Sequence, residues 1–185
     1  MRQPGDRAPA PAPLTLIQDL ANTWDIEAGR DTLRTAEDLA AFCAARGIAL
    51  TCADDDVVTA RALREGLRDA CQAHTGADLS PPTRQTLARL FDRAPLTVAF
   101  DEAGGARPEP APGLAGADAL VAEIGRAVLD AVAAGTWQRL KACAAHGCRW
   151  VYYDHSPGGR SRWCTMDICG ARAKMRAYRE RKRPG

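Results

Sequence analysis

Two cysteine pairs near the end of the chain constrain it most. Cys143 and Cys148 form the first, fifteen residues follow, and Cys164 and Cys169 form the second. A short turn between two cysteines makes a two-point clamp, and two clamps complete a tetrahedron of thiolates. Zn²⁺ prefers that geometry and those soft ligands. The spacing therefore predicts one structural Zn²⁺ on Cys143, Cys148, Cys164 and Cys169. Two disulfides are the alternative, and they need an oxidising compartment. His146 lies inside the first pair and His155 lies between the pairs, so either can stand in for a thiolate. The segment between the pairs reads as a β-hairpin. Arg149–Tyr153 alternates and is rich in aromatic and β-branched residues, Pro157-Gly158-Gly159 turns the chain, and Arg160–Trp163 returns. Trp150, Tyr152 and Trp163 are expected to form a small core around the metal, because so small a module has little else to bury.

Charge separates the two ends of the chain. Its net charge is +2, yet residues 143–185 hold ten of the 25 Lys and Arg and only three of the 23 Asp and Glu. An acidic body therefore precedes a basic tail, and such an end suits a polyanion. The basic segment beyond Cys169 is compatible with helix from Ala171 to Arg183. At helical spacing Arg172, Arg176, Arg179 and Arg183 share one face, while Ala171, Met175 and Tyr178 share another. The apolar stripe is expected to dock on the hairpin or the body, leaving the cations for phosphates. Lys174, and Arg160 and Arg162 on the return strand, add charge at the same end. Arginine suits the task because its planar fork matches phosphate oxygens and guanine edges.

The preceding residues predict a mainly helical fold. Met1–Pro13 is rich in Pro and Ala and reads as a disordered, mobile leader. It shows no secretory signal, and no apolar run approaches a membrane span, so a cytoplasmic protein without a membrane partner is expected. Apolar residues at helical spacing predict a first helix over 14–24 ending at Trp24. Thr35, with Asp38 three residues on, caps a second helix that Gly47 stops. Asp54, Asp55 and Asp56 open a third, where negative charge favours the helix dipole. Its expected stripe is Val58, Ala62, Leu63, Leu67, Ala70 and Cys71, with His74 as a cation at its end. Ser80-Pro81 starts a fourth helix. Leu96–Phe100 followed by Gly104-Gly105 predicts a hairpin over 95–110, and prolines 108, 110 and 112 read as a linker. A long helix over 116–141 follows, with Gly135 as a break or kink. Cys43, Cys52 and Cys71 show no motif spacing and read as buried free thiols. The fold class is thus mainly α with a small β-hairpin: a leader (1–13), a helical body (14–141) and an α+β four-cysteine module (142–185).

Trp163, Cys164, Cys169, Gly170, Arg172 and Tyr178 resemble the CGNR-type zinc fingers of bacteria. That family carries two Cys-x4-Cys pairs, a Trp before the third Cys, and a Cys-Gly-Asn-Arg signature opening a basic helix. Ala171 stands here where the family has Asn. Asp19-Leu-Ala-Asn-Thr23 resembles the opening motif of the ABATE domain that usually precedes this finger. The resemblance implies a stress-responsive transcription regulator, with DNA bound by the finger and sensing or assembly by the helical domain. Asn22, Thr23 and Trp24 are read as a candidate ligand pocket for a small-molecule effector, and Asn22 and Thr23 equally as a buried hydrogen-bonded pair. A homodimer is a further expected partner. The alternative reading is a zinc-stabilised protein-interaction module without nucleic-acid contact. No enzyme is expected: a closed four-thiolate shell lacks the open position of catalytic zinc, and His146 and His155 are the only bases near it.

Overall fold

The computed structural model describes residues 3–182. Arg183, grouped above with the phosphate-facing arginines, lies outside them. The body packs five helices: α1 (Leu14–Ala21), α2 (Ala36–Ala44), α3 (Asp54–Ala73), α4 (Pro81–Asp92) and α5 (Gly116–Ala133). Their termini follow side-chain chemistry. The Thr35 hydroxyl accepts from the Asp38 N–H, and Asp38 accepts in return from the Thr35 N–H. The Ser80 hydroxyl caps α4 ahead of Pro81 by accepting from the Thr83 N–H (3.2 Å). Asp56 serves two helices. Its carboxylate accepts from the Ala53 N–H (2.7 Å) at the start of α3 and from the Ala117 N–H (2.7 Å) at the start of α5. An acid at a helix N-terminus satisfies donors that would otherwise be orphaned and complements the dipole.

The core stripe of α3 is turned relative to the expectation. Val57, Ala60, Leu63, Leu67 and Cys71 are buried, whereas Val58 is exposed. One step along a helix is about 100°, so choosing Val58 over Val57 moves the anchor off the face. Two arginines share that interior. Arg64 donates to Asp31 (2.8 Å) and to the Thr23 hydroxyl (3.3 Å). Arg68 donates to the Ala21 carbonyl at the C-terminus of α1, where a cation is favoured, and to the carbonyl of Trp24 just beyond it. Helical spacing cannot separate such arginines from solvated ones. Gly66 lets α4 approach α3, since a Cβ there would sit 2.6 Å from Leu87 Cδ2. Cys43 and Cys71 are buried free thiols and Cys52 is half-buried. Burial pushes the Cys43 thiol up to about 11 and raises that of Cys71 as well.

Among the described residues, three two-stranded antiparallel sheets decorate the helices. β1 (Trp24–Asp25) and β2 (Arg30–Asp31) form a tight turn after α1, so the first helix stops before Trp24. β3 (Leu96–Phe100) pairs with β4 (Ala106–Pro110), so Pro108 and Pro110 belong to a strand rather than a linker. β5 (Leu140–Ala142) pairs with β6 (Val151–Tyr153). This last pairing corrects two expectations. The final helix does not run to 141; it ends at Ala133, where Gly135 takes φ 66°, and a β-strand carries the chain to Cys143. The strand at 151–153 pairs backwards with that segment, and Arg160–Trp163 returns without strand pairing.

The leader expectation also fails for the described residues. Arg7 donates to the carbonyls of Cys164 (3.0 Å) and Tyr153 (3.2 Å) and lies over the Tyr152 ring. Gln3 is buried and accepts from Gln18 (3.2 Å) and the Trp150 indole (3.0 Å). Composition marks Pro/Ala segments as unable to build a core, but not as unable to lie on one built by others. Replacing Asp56 with Ala uncaps two helices at once and is expected to lower unfolding stability by about 2 kcal/mol, at about 1 kcal/mol per lost cap. Urea denaturation measures it.

Candidate metal centre

The β5–β6 hairpin is a wall with two faces. Leu140, Ala142, Val151 and Tyr153 point into the core of the body. Tyr152, on the other face, packs with Cys143, Cys164 and Cys169 in a second cluster edged by Cys148, Trp150 and Trp163. Strand alternation alone produces this division. Any boundary near residue 142 therefore falls within a hairpin that body and metal module share.

The first cysteine pair sits at the tip of that hairpin. The Cys143 N–H donates to the Trp150 carbonyl (2.9 Å), and the Cys148 N–H donates to Ala145 (2.9 Å). Arg149 follows in the left-handed region at φ 51°, a conformation that costs a non-glycine residue of order 1 kcal/mol. Its side chain is fastened to α3, donating to Gln72 (2.8 Å) and to Asp69. The second pair is set by a wide turn, Met166–Gly170, which the Thr165 hydroxyl caps by accepting from the Ile168 N–H (3.3 Å). Gly170 fits closely here: a Cβ would meet Met166 at 3.0 Å and Trp163 at 3.3 Å, so a side chain would have to push those neighbours aside by a few tenths of an ångström.

The four Sγ atoms lie within 4.8 Å of one another, with Cys148–Cys164 and Cys164–Cys169 each at 3.6 Å. A Zn–S bond of about 2.3 Å gives a tetrahedral edge of about 3.8 Å, so the quartet fits one Zn²⁺. No disulfide joins these cysteines. His146 and His155 are exposed and stand outside the quartet; His155 contacts the Pro9 carbonyl instead. Without metal the thiols share protons unevenly. Hydrogen bonds from Cys148 and Cys164 lower the Cys143 thiol, the hydrogen bond to Cys143 together with burial raises Cys148, and hydrogen bonds to Cys143 and Cys148 raise Cys164. Metal binding must therefore displace protons from the remaining thiols.

A buried ion pair supports the loop that leads to Cys164. Lys141 donates to Asp154 (2.9 Å) and to the carbonyls of Gly159 and Ser161. Burial would raise the Asp154 pKa, but hydrogen bonds from Ser156, Lys141 and Ser161 prevail and hold it at about 2. This pair replaces the expected strand pairing as the organiser of 154–163. His74 was expected as a helix-end cation. It is instead half-buried, edge-on to the Trp137 ring with Nδ1 2.7 Å from the Leu140 carbonyl, and its partial burial lowers its pKa.

Of the candidate pocket residues, Asn22 has the clearest role. Its amide donates to the Val151 carbonyl (2.7 Å) and accepts from the Val151 N–H (2.8 Å), so the side chain that ends α1 pairs with β6 as another strand would. Thr23 donates to the Leu20 carbonyl (2.8 Å). Both border a cleft of about 760 Å³ between the β1–β2 turn and the metal module, together with Gln3, Glu27, Trp150 and Thr165. Trp24 is not part of its lining; its ring lies 5.4 Å from the Arg64 guanidinium. The contributions of Gln3, Arg7, Arg149 and the Lys141–Asp154 pair were not legible from spacing, since each depends on a partner distant in the chain.

The basic helix α6 (Ala171–Lys182) projects from the second cysteine pair. Arg172, Lys174, Arg176 and Arg179 on it, and Arg160 and Arg162 before it, are exposed. Arg172 is bound to Glu27 (2.5 Å), and among the described residues the other five show no acidic partner. The apolar stripe does not dock as expected: Met175 and Tyr178 are 52% and 47% exposed.

A four-thiolate metal module fused through a shared hairpin to a helical body defines a zinc-finger protein. Residues 139–182 match the CGNR zinc finger family, and residues 14–135 match the ABATE family, described as "Putative stress-induced transcription regulator". The chain belongs to the ABATE family and carries a CGNR zinc finger. No curated protein matches it. Within the described residues no helix is long and apolar enough to cross a membrane.

Two measurements check this site. Metal analysis of the purified chain is expected to give one zinc per molecule, and Cys164→Ser to lose it. Asn22→Ala strips the buried Val151 N–H of its partner and leaves its carbonyl only the Gln18 amide (3.3 Å); it is expected to cost about 1–3 kcal/mol of stability, the penalty for one unmet buried group, read from denaturant unfolding.

Proposed function

We propose that this protein is a DNA-binding transcription regulator whose finger contacts nucleic acid through α6 and whose body responds to a small molecule in the cleft beside the metal. The observation that carries the reading is the exposure of Lys174, Arg176 and Arg179 on a helix rooted in the metal site, with Arg160 and Arg162 at the same end. Structural zinc contributes on the order of 10–16 kcal/mol in comparable modules, so metal binding holds this helix in place. Glu27 supplies the link to the body. It borders the cleft and also binds Arg172, so an occupant that draws Glu27 away frees one more cation for phosphate.

A second reading rests on the apolar side chains of the same region. Met166, Ile168, Met175 and Tyr178 are all about half exposed. They suit a partner protein better than a sugar-phosphate backbone.

One experiment separates the two. Under the first reading, Arg176→Glu with Arg179→Glu weakens binding to duplex DNA across sequences, and chelating the zinc abolishes it. If about five cations contact phosphates, log K falls against log salt with a slope near −4.5. Glu27→Gln tightens binding. Unchanged DNA affinity in the charge-reversed variant, with loss of a protein partner, favours the second reading.

A further inference from the structure

We propose that the outer edge of β3 is a self-association surface whose partner is a second copy of this chain, paired β3 to β3 antiparallel about a two-fold axis through Val98. The hydrogen-bond alternation of the β3–β4 hairpin identifies the open edge. The Ala111 N–H donates to the Pro95 carbonyl (3.0 Å) and the Asp101 N–H to the Gly105 carbonyl (2.9 Å). In the register Leu96↔Pro110, the Thr97↔Glu109 and Ala99↔Arg107 pairs then carry the inward bonds. The peptide groups of Leu96, Val98 and Phe100 therefore point away from β4. On the far side of the hairpin the outward positions are Ala106, Pro108 and Pro110. Two of these three have no N–H, so the β4 edge cannot extend a ladder. The β3 edge offers three donors and three acceptors.

A copy of the same strand matches that edge. About the two-fold axis, Val98 faces its own copy and Leu96 faces Phe100, and each pair exchanges N–H and C=O. The side chains agree with the backbone. Leu96, Val98 and Phe100 share one face, on which Val98 is 66% and Phe100 73% exposed. Pairing places each Phe100 beside the partner copy's Leu96. Leu96 edges a shallow apolar groove of about 350 Å³, with Phe91, Pro95, Val128 and Leu129, that can receive an aromatic ring. The molecule thus carries both the projection and a recess for it. Charge does not oppose the match. Leu96–Phe100 has no ionisable residue, and Asp101 and Glu102 fall opposite Pro95 and Ala94 of the copy. Edge strands are ordinarily protected by charge, proline or a bulge. Here proline protects β4 and β3 has no such device. The proposal stands apart from the nucleic-acid reading, although a two-fold dimer would carry two fingers.

The test uses the full zinc-loaded chain in sedimentation equilibrium over a range of concentrations. The expected result is reversible association to twice the 19.8 kDa chain mass. Val98→Lys sets two ammonium groups against each other at the axis and is expected to weaken the dimer at least about tenfold. Because Val98 is exposed, the thermal midpoint of the monomer should stay unchanged. Phe100→Ser should weaken the dimer in the same direction. Hydrogen exchange provides the specific signature: the Leu96, Val98 and Phe100 amides gain protection as concentration rises, and the Ala106 amide does not. A monomer at every concentration, a dimer indifferent to Val98→Lys, or a dimer without that protection overturns the proposal.

Discussion

The tetrathiolate site is the constraint on which the second half of the structure depends. Cys143 and Cys148 close the tip of the β5–β6 hairpin, while Cys164 and Cys169 draw in the turn from which α6 departs. With a metal bound, four distant points become one rigid centre. That rigidity matters because the region has few other resources. Its apolar cluster amounts to three aromatic side chains, Ala145 and the thiols themselves.

What joins this centre to the body is a set of polar contacts laid over a shared hydrophobic wall. One face of the hairpin completes the helical core, and the Asn22 amide holds its Val151 peptide in register. Arg149 reaches α3 at the cost of a left-handed backbone, and Arg7 ties the N-terminal segment to the Cys164 carbonyl. Buried polar groups of this kind are costly when unpaired and restrictive when paired. They make the finger a continuation of the body, so a change in the cleft between them has a physical route to α6. The Glu27–Arg172 pair lies on that route.

The two proposed surfaces, one for nucleic acid and one for a second copy of the chain, lie on different elements. The cations cluster on α6 and the nearby loop; Arg172 is bound to Glu27 of the body, and among the described residues Arg160, Arg162, Lys174, Arg176 and Arg179 are exposed without an acidic partner. The hairpin of β3 and β4 is formed by the body alone and carries an apolar face that its own helices cover only at one end. Under these two proposals, substitutions on α6 and on β3 can be made independently of each other.

Several features were legible in the sequence because they are local. The metal ligands follow from cysteine spacing, the helix starts from Thr35, Ser80 and Asp56, the hairpin from Leu96–Phe100 with its glycines, and the cationic helix from arginine periodicity. Tertiary structure decided the rest. It paired β6 with β5 rather than with 160–163, since Lys141 and Asp154 satisfy that loop internally. It chose Val57 over Val58, buried Arg64 and Arg68, made His74 a packed ring, and laid the Pro/Ala segment across the module. Each of these outcomes depends on a partner many residues away. Periodicity and capping record what a segment prefers, but not which distant group will meet it.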